Sequence, residues 1–236
     1  MSSSAGYVPL QRNPYRGHML MADAVLRHTS PGDRIFEGGV STGYFAALMV
    51  DEGRVVDGAE LDAGAAAVAE TVCDRVIAGD LQQLDVDRLA DRYQALVFGD
   101  TLEHLADPVS LLRRLQPRLD DDGVLVTSIP NVANWTVRVG LLFGRFRYAD
   151  RGILDRTHLR FYTKRTAAEM LAEGGFDVVD CTAAVPVPFV SSPALSRLAH
   201  RVGNLWPSLF AYTFVMVARK RGSFAEPPRS RAGWRR

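Results

Sequence analysis

The segment Arg34-Ile-Phe-Glu-Gly-Gly-Val-Ser-Thr-Gly-Tyr-Phe45 joins an apolar run to a helical one through Gly39, Ser41 and Gly43. Small residues at alternate positions let a backbone turn sharply and approach a ligand closely. The helix that follows offers its first amides to negative charge. The spacing is not that of a dinucleotide site, because Gly39-Val-Ser-Thr-Gly43 lacks the G-x-G-x-x-G pattern. Seventeen residues after Gly43, a second run ends in Val56-Asp-Gly-Ala-Glu-Leu-Asp62. An acid at that strand end takes both ribose hydroxyls of a nucleoside lying over the turn. Glu60 is the better candidate and Asp62 the lesser, and each hydrogen bond to a charged acceptor contributes about 1.5–3 kcal/mol. A third run ends in Ala78-Gly-Asp-Leu81, which sets Asp80 where an adenine amino group is read.

Elements that could hold these residues follow from the apolar pattern. Tyr15 to His28 reads as a helix, and Ser30-Pro-Gly-Asp33 as a turn. Strands are predicted at Arg34–Phe36, Arg54–Ala59, Arg75–Ile77, Ala95–Phe98, Val124–Ile129, Asp177–Cys181 and Tyr212–Ala218. Helices are predicted between them at Tyr44–Val50, Ala63–Val72, Val86–Tyr93, Pro108–Leu119 and Thr166–Gly174. This alternation is the pattern of an α/β domain with a mostly parallel sheet. Two stretches break the rhythm. Residues 130–163 are aromatic and basic, and residues 183–207 are proline-rich. Both are expected as lid-like insertions at the ligand end of the sheet. The expected organisation is a flexible arm over 1–14, one domain over 15–219, and a disordered basic tail over 220–236.

Composition bounds the reading. A chain of 236 residues, 47% hydrophobic and 23% charged, suits one globular domain. A net charge of +1 gives no global field for nucleic acid. Cys73 and Cys181 lie too far apart for a zinc knuckle or a CxxC motif and read as reduced thiols. No leader pattern and no long apolar run appear, so a cytoplasmic protein is expected. No His/Cys/carboxylate cluster has metal-ligand spacing along the chain, so no metal is expected. Oligomeric state is not legible.

In order along the chain, these motifs resemble those of the class I S-adenosylmethionine-dependent methyltransferases, across about Arg16 to Arg219. Glu37-Gly-Gly-Val-Ser-Thr-Gly43 resembles the family's acidic-x-Gly-x-Gly-x-Gly motif. Val56 to Asp62 and Gly79-Asp80 resemble its ribose and adenine segments. Gly99-Asp-Thr-Leu-Glu-His-Leu105 with Asp107-Pro108, and Gly123 to Asn131, resemble its fourth and fifth strands. The fourth-strand segment and the His158-Leu-Arg-Phe-Tyr-Thr163 stretch resemble the branch with ubiquinone-type and sugar O-methyltransferases. The resemblance implies a Rossmann-like, seven-stranded, mostly parallel sheet with helices on both faces and an antiparallel last strand. It implies S-adenosylmethionine as cofactor, S-adenosylhomocysteine as product, and Glu37, Gly39, Ser41, Gly43, Glu60, Asp80 and Asp100 as cofactor-binding residues. Two positions depart from the family pattern. Ser41 replaces the middle glycine, tolerably because serine is small, and Gly38 stands where an aliphatic residue is commoner, which is expected to loosen strand packing.

The acceptor side rests on two histidines. His104 is either a general base near the methyl group or a structural residue fixing its loop. His158 is either a base oriented by Asp155 or a hydrogen-bonded loop histidine. The aromatic-basic stretch reads three ways: a lid whose arginines hold an anionic acceptor, a nucleic-acid surface, or a hydrophobic cover with a solvated rim. Together these favour methyl transfer to a hydroxyl, less readily an amine, of a small metabolite or sugar-like acceptor. The Tyr15–His28 helix and both insertions are expected to close over the cleft. An RNA methyltransferase and a non-catalytic cofactor-binding scaffold are the alternatives.

Overall fold

A computed structural model describes residues 15–185 and 193–222. The expected arm at 1–14, the stretch 186–192 of the second insertion and the tail from 223 lie outside the described residues. Seven strands form one sheet: β1 (Arg34–Gly38), β2 (Val55–Glu60), β3 (Arg75–Ala78), β4 (Tyr93–Gly99), β5 (Leu119–Pro130), β6 (Phe176–Ala184) and β7 (Thr213–Lys220). Their order is β3-β2-β1-β4-β5-β7-β6. The first five pair in parallel, and β7 runs antiparallel to both β5 and β6. The expected Rossmann-like architecture is therefore the observed one.

The central strands read as unbroken apolar runs because both faces are covered. Ile35, Val97, Val126 and Val217 bury one way, against Met21 and Val25 of α1 (Gly17–His28) and Phe45 and Met49 of α2 (Tyr44–Asp51). Phe36, Leu96, Phe98 and Leu125 bury the other way, with Leu111, Leu112 and Leu115 of α4 (Pro108–Leu115) and Met170 and Leu171 of α6 (Lys164–Glu173). Between them in the chain lie α3 (Ala63–Ala69) and α5 (Trp135–Leu142), and α7 (Pro193–Leu205) and α8 (Pro207–Phe210) precede β7. Thus α5 falls inside the first insertion, and α7 and the first residue of α8, Pro207, inside the second.

Local chemistry sets the starts of several helices. Asp62, Asp107 and Asn134 each accept a backbone N–H in the first turn of α3, α4 and α5. Thr163 and Thr166 form a reciprocal cap on α6.

Three expected elements differ. The helix predicted at Val86–Tyr93 is a single 3-10 turn, Val86–Arg88, and Tyr93 opens β4 instead. The Tyr93 hydroxyl donates to buried Asp57 of β2 (2.7 Å) and accepts from the Ala90 N–H (2.9 Å), which fixes it in the sheet. The α-helix predicted to Leu119 stops at Leu115 and gives way to a 3-10 turn, Gln116–Arg118, because Pro117 has no N–H to continue the α-helical ladder. Finally, the helix expected from Tyr15 begins at Gly17; it packs Met21, Ala22, Ala24 and Val25 onto the sheet face, and His18 Nε2 in its first turn is 2.8 Å from the Tyr44 hydroxyl.

Candidate active site

The glycine turn leaves β1 with three successive left-handed residues at alternate positions. Gly39 has φ 78°, Ser41 φ 52° and Gly43 φ 80°. A Cβ on Gly39 would sit 2.7 Å from Thr101 Oγ1, and one on Gly43 would sit 3.3 Å from the Ala69 backbone. Ser41 holds a conformation that costs a non-glycine residue roughly 1–2 kcal/mol. Its N–H donates to Glu60 Oε2 at 2.8 Å. Glu60 Oε1 accepts the Asp62 N–H at 2.9 Å. The end of β2 therefore braces the turn after β1, and each Glu60 oxygen retains acceptor capacity.

Gly38 corrects the expectation of loose packing. A Cβ there would run into the Phe98 ring of β4, with Cδ1 at 2.8 Å. Glycine is the residue that lets Phe98 fill this space. Glu37 is 5% exposed, and its Oε2 has no hydrogen-bond partner. Burial, reinforced by the Glu60 charge, pushes its carboxyl well above the ordinary range.

Asp80 follows β3 and caps a 3-10 turn by accepting the Gln82 N–H at 2.9 Å. Asp100 follows β4 with φ 46°, tied to β5 because Ser128 Oγ accepts its N–H (2.9 Å) and donates to its Oδ1 (2.8 Å). These residues follow the carboxyl ends of four adjacent parallel strands, where α/β folds place ligands.

Beyond β4, the 3-10 turn Leu102–His104 meets the end of the first insertion. The Glu103 carbonyl accepts the N–H groups of Leu159 (3.0 Å) and Arg160 (3.1 Å), and Arg160 Nε donates to the Ala106 carbonyl at 3.0 Å. This docking brings the His104 and His158 rings edge to face, with centroids 4.7 Å apart. His158 is 9% exposed, and its Nδ1 is 3.2 Å from the Ile153 carbonyl. Burial, then the neighbouring His104, lowers its pKa.

Asp155 was expected to orient His158, and the structure assigns it elsewhere. Its Oδ1 accepts the Thr157 hydroxyl at 2.6 Å and the Thr157 N–H at 2.8 Å, while Thr157 Oγ1 and the Thr157 carbonyl each lie 3.2 Å from His104 Nδ1. Asp155 thus positions His104 through Thr157. A tight turn ties the side chain to Thr157, one residue short of His158, whose Nδ1 is taken by a backbone carbonyl.

Glu103 is the residue that sequence reasoning passed over. It is 1% exposed, neither carboxylate oxygen has a hydrogen-bond partner, and Oε1 is 3.9 Å from His158 Nε2. Burial, then the Asp100 charge, pushes its pKa well up. Its place in the Leu-Glu-His segment was the available signal. The first insertion and Tyr212 also border an open pocket of about 320 Å³, lined in part by Val137, Arg145, Arg147 and Ile153. Phe146, Tyr148 and Phe161 pack edge-on there, and Phe161 in turn meets His158.

The family model for a methyltransferase domain matches residues 15–180. The chain belongs to that methyltransferase family. Comparison with curated proteins finds no match. Among solved structures, the methyltransferase resembles a TehB-like S-adenosylmethionine-dependent enzyme from Corynebacterium glutamicum (16% identity, 87% of this chain and 88% of that one, TM-score 0.56). It also resembles magnesium protoporphyrin IX methyltransferase from Synechocystis with bound S-adenosylhomocysteine (15%, 85% and 80%, TM-score 0.58). A third is the 1,6-didemethyltoxoflavin-N1-methyltransferase of Burkholderia thailandensis (17%, 89% and 80%, TM-score 0.59). At these identities the likeness is one of fold. No helix among the described residues of this methyltransferase is long and apolar enough to cross a membrane.

Proposed function

We propose that the methyl group of S-adenosylmethionine, the donor, passes in this enzyme to a hydroxyl of a small, sugar-like or anionic metabolite. The site residues fit the donor. Glu60 has acceptor capacity for the ribose hydroxyls, and Asp80 Oδ2 can take the adenine amino group. The turn of Gly39, Ser41 and Gly43 admits close approach. The buried, unpaired Oε2 of Glu37 and the strand-end Asp100 complete the cofactor side. When bound, the donor supplies an activated methyl group on a sulfonium, so the protein's task is alignment, worth about 7–11 kcal/mol.

The observation that carries the hydroxyl reading is the paired imidazoles of His104 and His158. A carbonyl only accepts, so each ring carries its proton on Nδ1 and keeps Nε2 as a lone pair. An amine acceptor needs no such group. His104, the less buried ring and the one Asp155 positions through Thr157, takes the acceptor's proton, and His158 supports it. Arg145 and Arg147 on the adjoining cavity suit an anionic acceptor. The two free cysteines suit the reducing cytoplasm.

Calorimetry with S-adenosylmethionine and S-adenosylhomocysteine, on the wild type and Glu60→Ala, tests the cofactor side. Micromolar binding that the substitution abolishes supports the reading; no binding to wild type rejects it. A screen of hydroxylated and amine acceptors with His104→Ala then tests the acceptor side. Full activity in that variant rejects the base role.

A further inference from the structure

We propose that Glu103, His104 and His158 form a binding site for one divalent transition-metal ion of the zinc or cobalt kind. Their donor atoms all lie within 4.8 Å of one another. Ions of this kind hold nitrogen and oxygen ligands at about 2.0–2.2 Å, so each donor needs to shift by less than about 1 Å to close on a shared centre.

Three features distinguish this group from a chance cluster. First, the Glu103 carboxylate is buried with both oxygens unpaired, a costly arrangement that a cation relieves. Its nearest charged-capable neighbour, His158 Nε2 at 3.9 Å, is beyond hydrogen-bond range, so the pair alone does not relieve it. Second, both imidazoles direct Nδ1 at backbone carbonyls, of Thr157 and Ile153. That is how metal-binding histidines are held, with the tautomer fixed and Nε2 free to coordinate. Third, Asp100 and Asp155 add negative charge around the group, each acting on both Glu103 and His158.

The donor set selects the metal. Two imidazoles and one carboxylate suit zinc, cobalt or iron(II), whereas magnesium and calcium take oxygen ligands. Three protein ligands leave positions open for water or for an acceptor oxygen. This deepens the hydroxyl reading and rests on it. A zinc ion lowers the pKa of bound water to about 7. With the ion bound, a coordinated acceptor hydroxyl would lose its proton to solvent in the same way, so the ion takes over the base role that His104 holds in the metal-free site and the imidazoles serve as its ligands.

The test uses the full chain, stripped with chelator and titrated with cobalt(II) chloride under optical absorption, then with zinc chloride by calorimetry. One equivalent with visible cobalt bands is expected, at micromolar affinity or tighter. Glu103→Gln and His104→Gln should each weaken binding at least tenfold. His104 is the less buried, so its variant keeps the test open if Glu103→Gln does not fold. S-adenosylhomocysteine affinity is measured on the same samples. No uptake at about 100 µM metal by protein that still binds S-adenosylhomocysteine overturns the proposal, as does uptake that neither variant weakens. Stoichiometric metal binding without S-adenosylhomocysteine binding would leave the site standing and overturn the cofactor reading instead.

Discussion

The Ser41 N–H donates to Glu60 Oε2 across 2.8 Å, making the turn after β1 and the acid that ends β2 a single unit. Glu60 therefore holds a serine in a left-handed conformation, and in the proposed function it has a second task, taking the ribose hydroxyls with its remaining lone pairs.

Separating those tasks is possible with Glu60→Gln. The amide keeps one oxygen but removes the charge, so S-adenosylmethionine affinity should fall roughly 10–100-fold, the loss of one charged hydrogen bond. Without cofactor, hydrogen exchange at the Ser41 amide should also accelerate relative to wild type. Unchanged exchange would show that the turn is held by Gly39 and Gly43 alone.

Gly38 and Phe98 form a second coupled pair. Installing the commoner aliphatic residue, Gly38→Val, forces the Phe98 ring from its place and should cost about 1–3 kcal/mol in urea denaturation. Phe98→Leu should cost a comparable amount through lost packing. The double variant should be more stable than the sum of the two, by at least about 0.5 kcal/mol. Strict additivity would show that the ring and the glycine do not constrain each other.

Buried titratable groups give stability a pH dependence of defined sign. Glu37 has a native pKa raised by burial above its unfolded value of 4.5. Its contribution is complete below pH 4.5 and is lost as pH rises toward the native value. Glu37→Gln should therefore raise the melting temperature at pH 8 and leave it nearly unchanged at pH 4. His28 acts in the opposite sense. Burial, then Arg219 and Arg27, lowers its pKa from 6.5, so its contribution is present above pH 6.5 and lost as pH falls below it. His28→Gln should flatten that acidic decline. Thermal scans of both variants between pH 4 and 8 provide the check.

The sheet was legible because its strands are apolar on both faces and its turns carry glycine, proline or aspartate at the required points. The motifs on the strand ends could be ordered for the same reason. The failures had local causes. Val86, Leu89 and Ala90 have helical spacing, but a tyrosine bonded to a buried aspartate outranks that pattern at Tyr93. Gly38 read as a packing defect because its partner ring lies on another strand. Glu103 escaped notice because 55 positions separate it from His158, and only the docking of residues 158–160 on the 102–104 turn makes them neighbours. The role of Asp155 was misassigned for a related reason: sequence proximity does not say which ring a carboxylate's hydrogen bonds reach.

Strand β7 lies between β5 and β6, so the order of the strands in the sheet departs from their order of synthesis. On a ribosome, β1 to β5 can pair as they emerge, each new strand joining one already made. β6 then emerges with no neighbour to accept it. Until Thr213–Lys220 arrives, the outer edge of β5 from Leu125 to Pro130 stays open and apolar, a template for pairing with other chains. The nascent protein is thus most exposed to misassembly late in its synthesis, during the interval between β6 and β7, and closure of the sheet is delayed until after His104 and His158 have both been made.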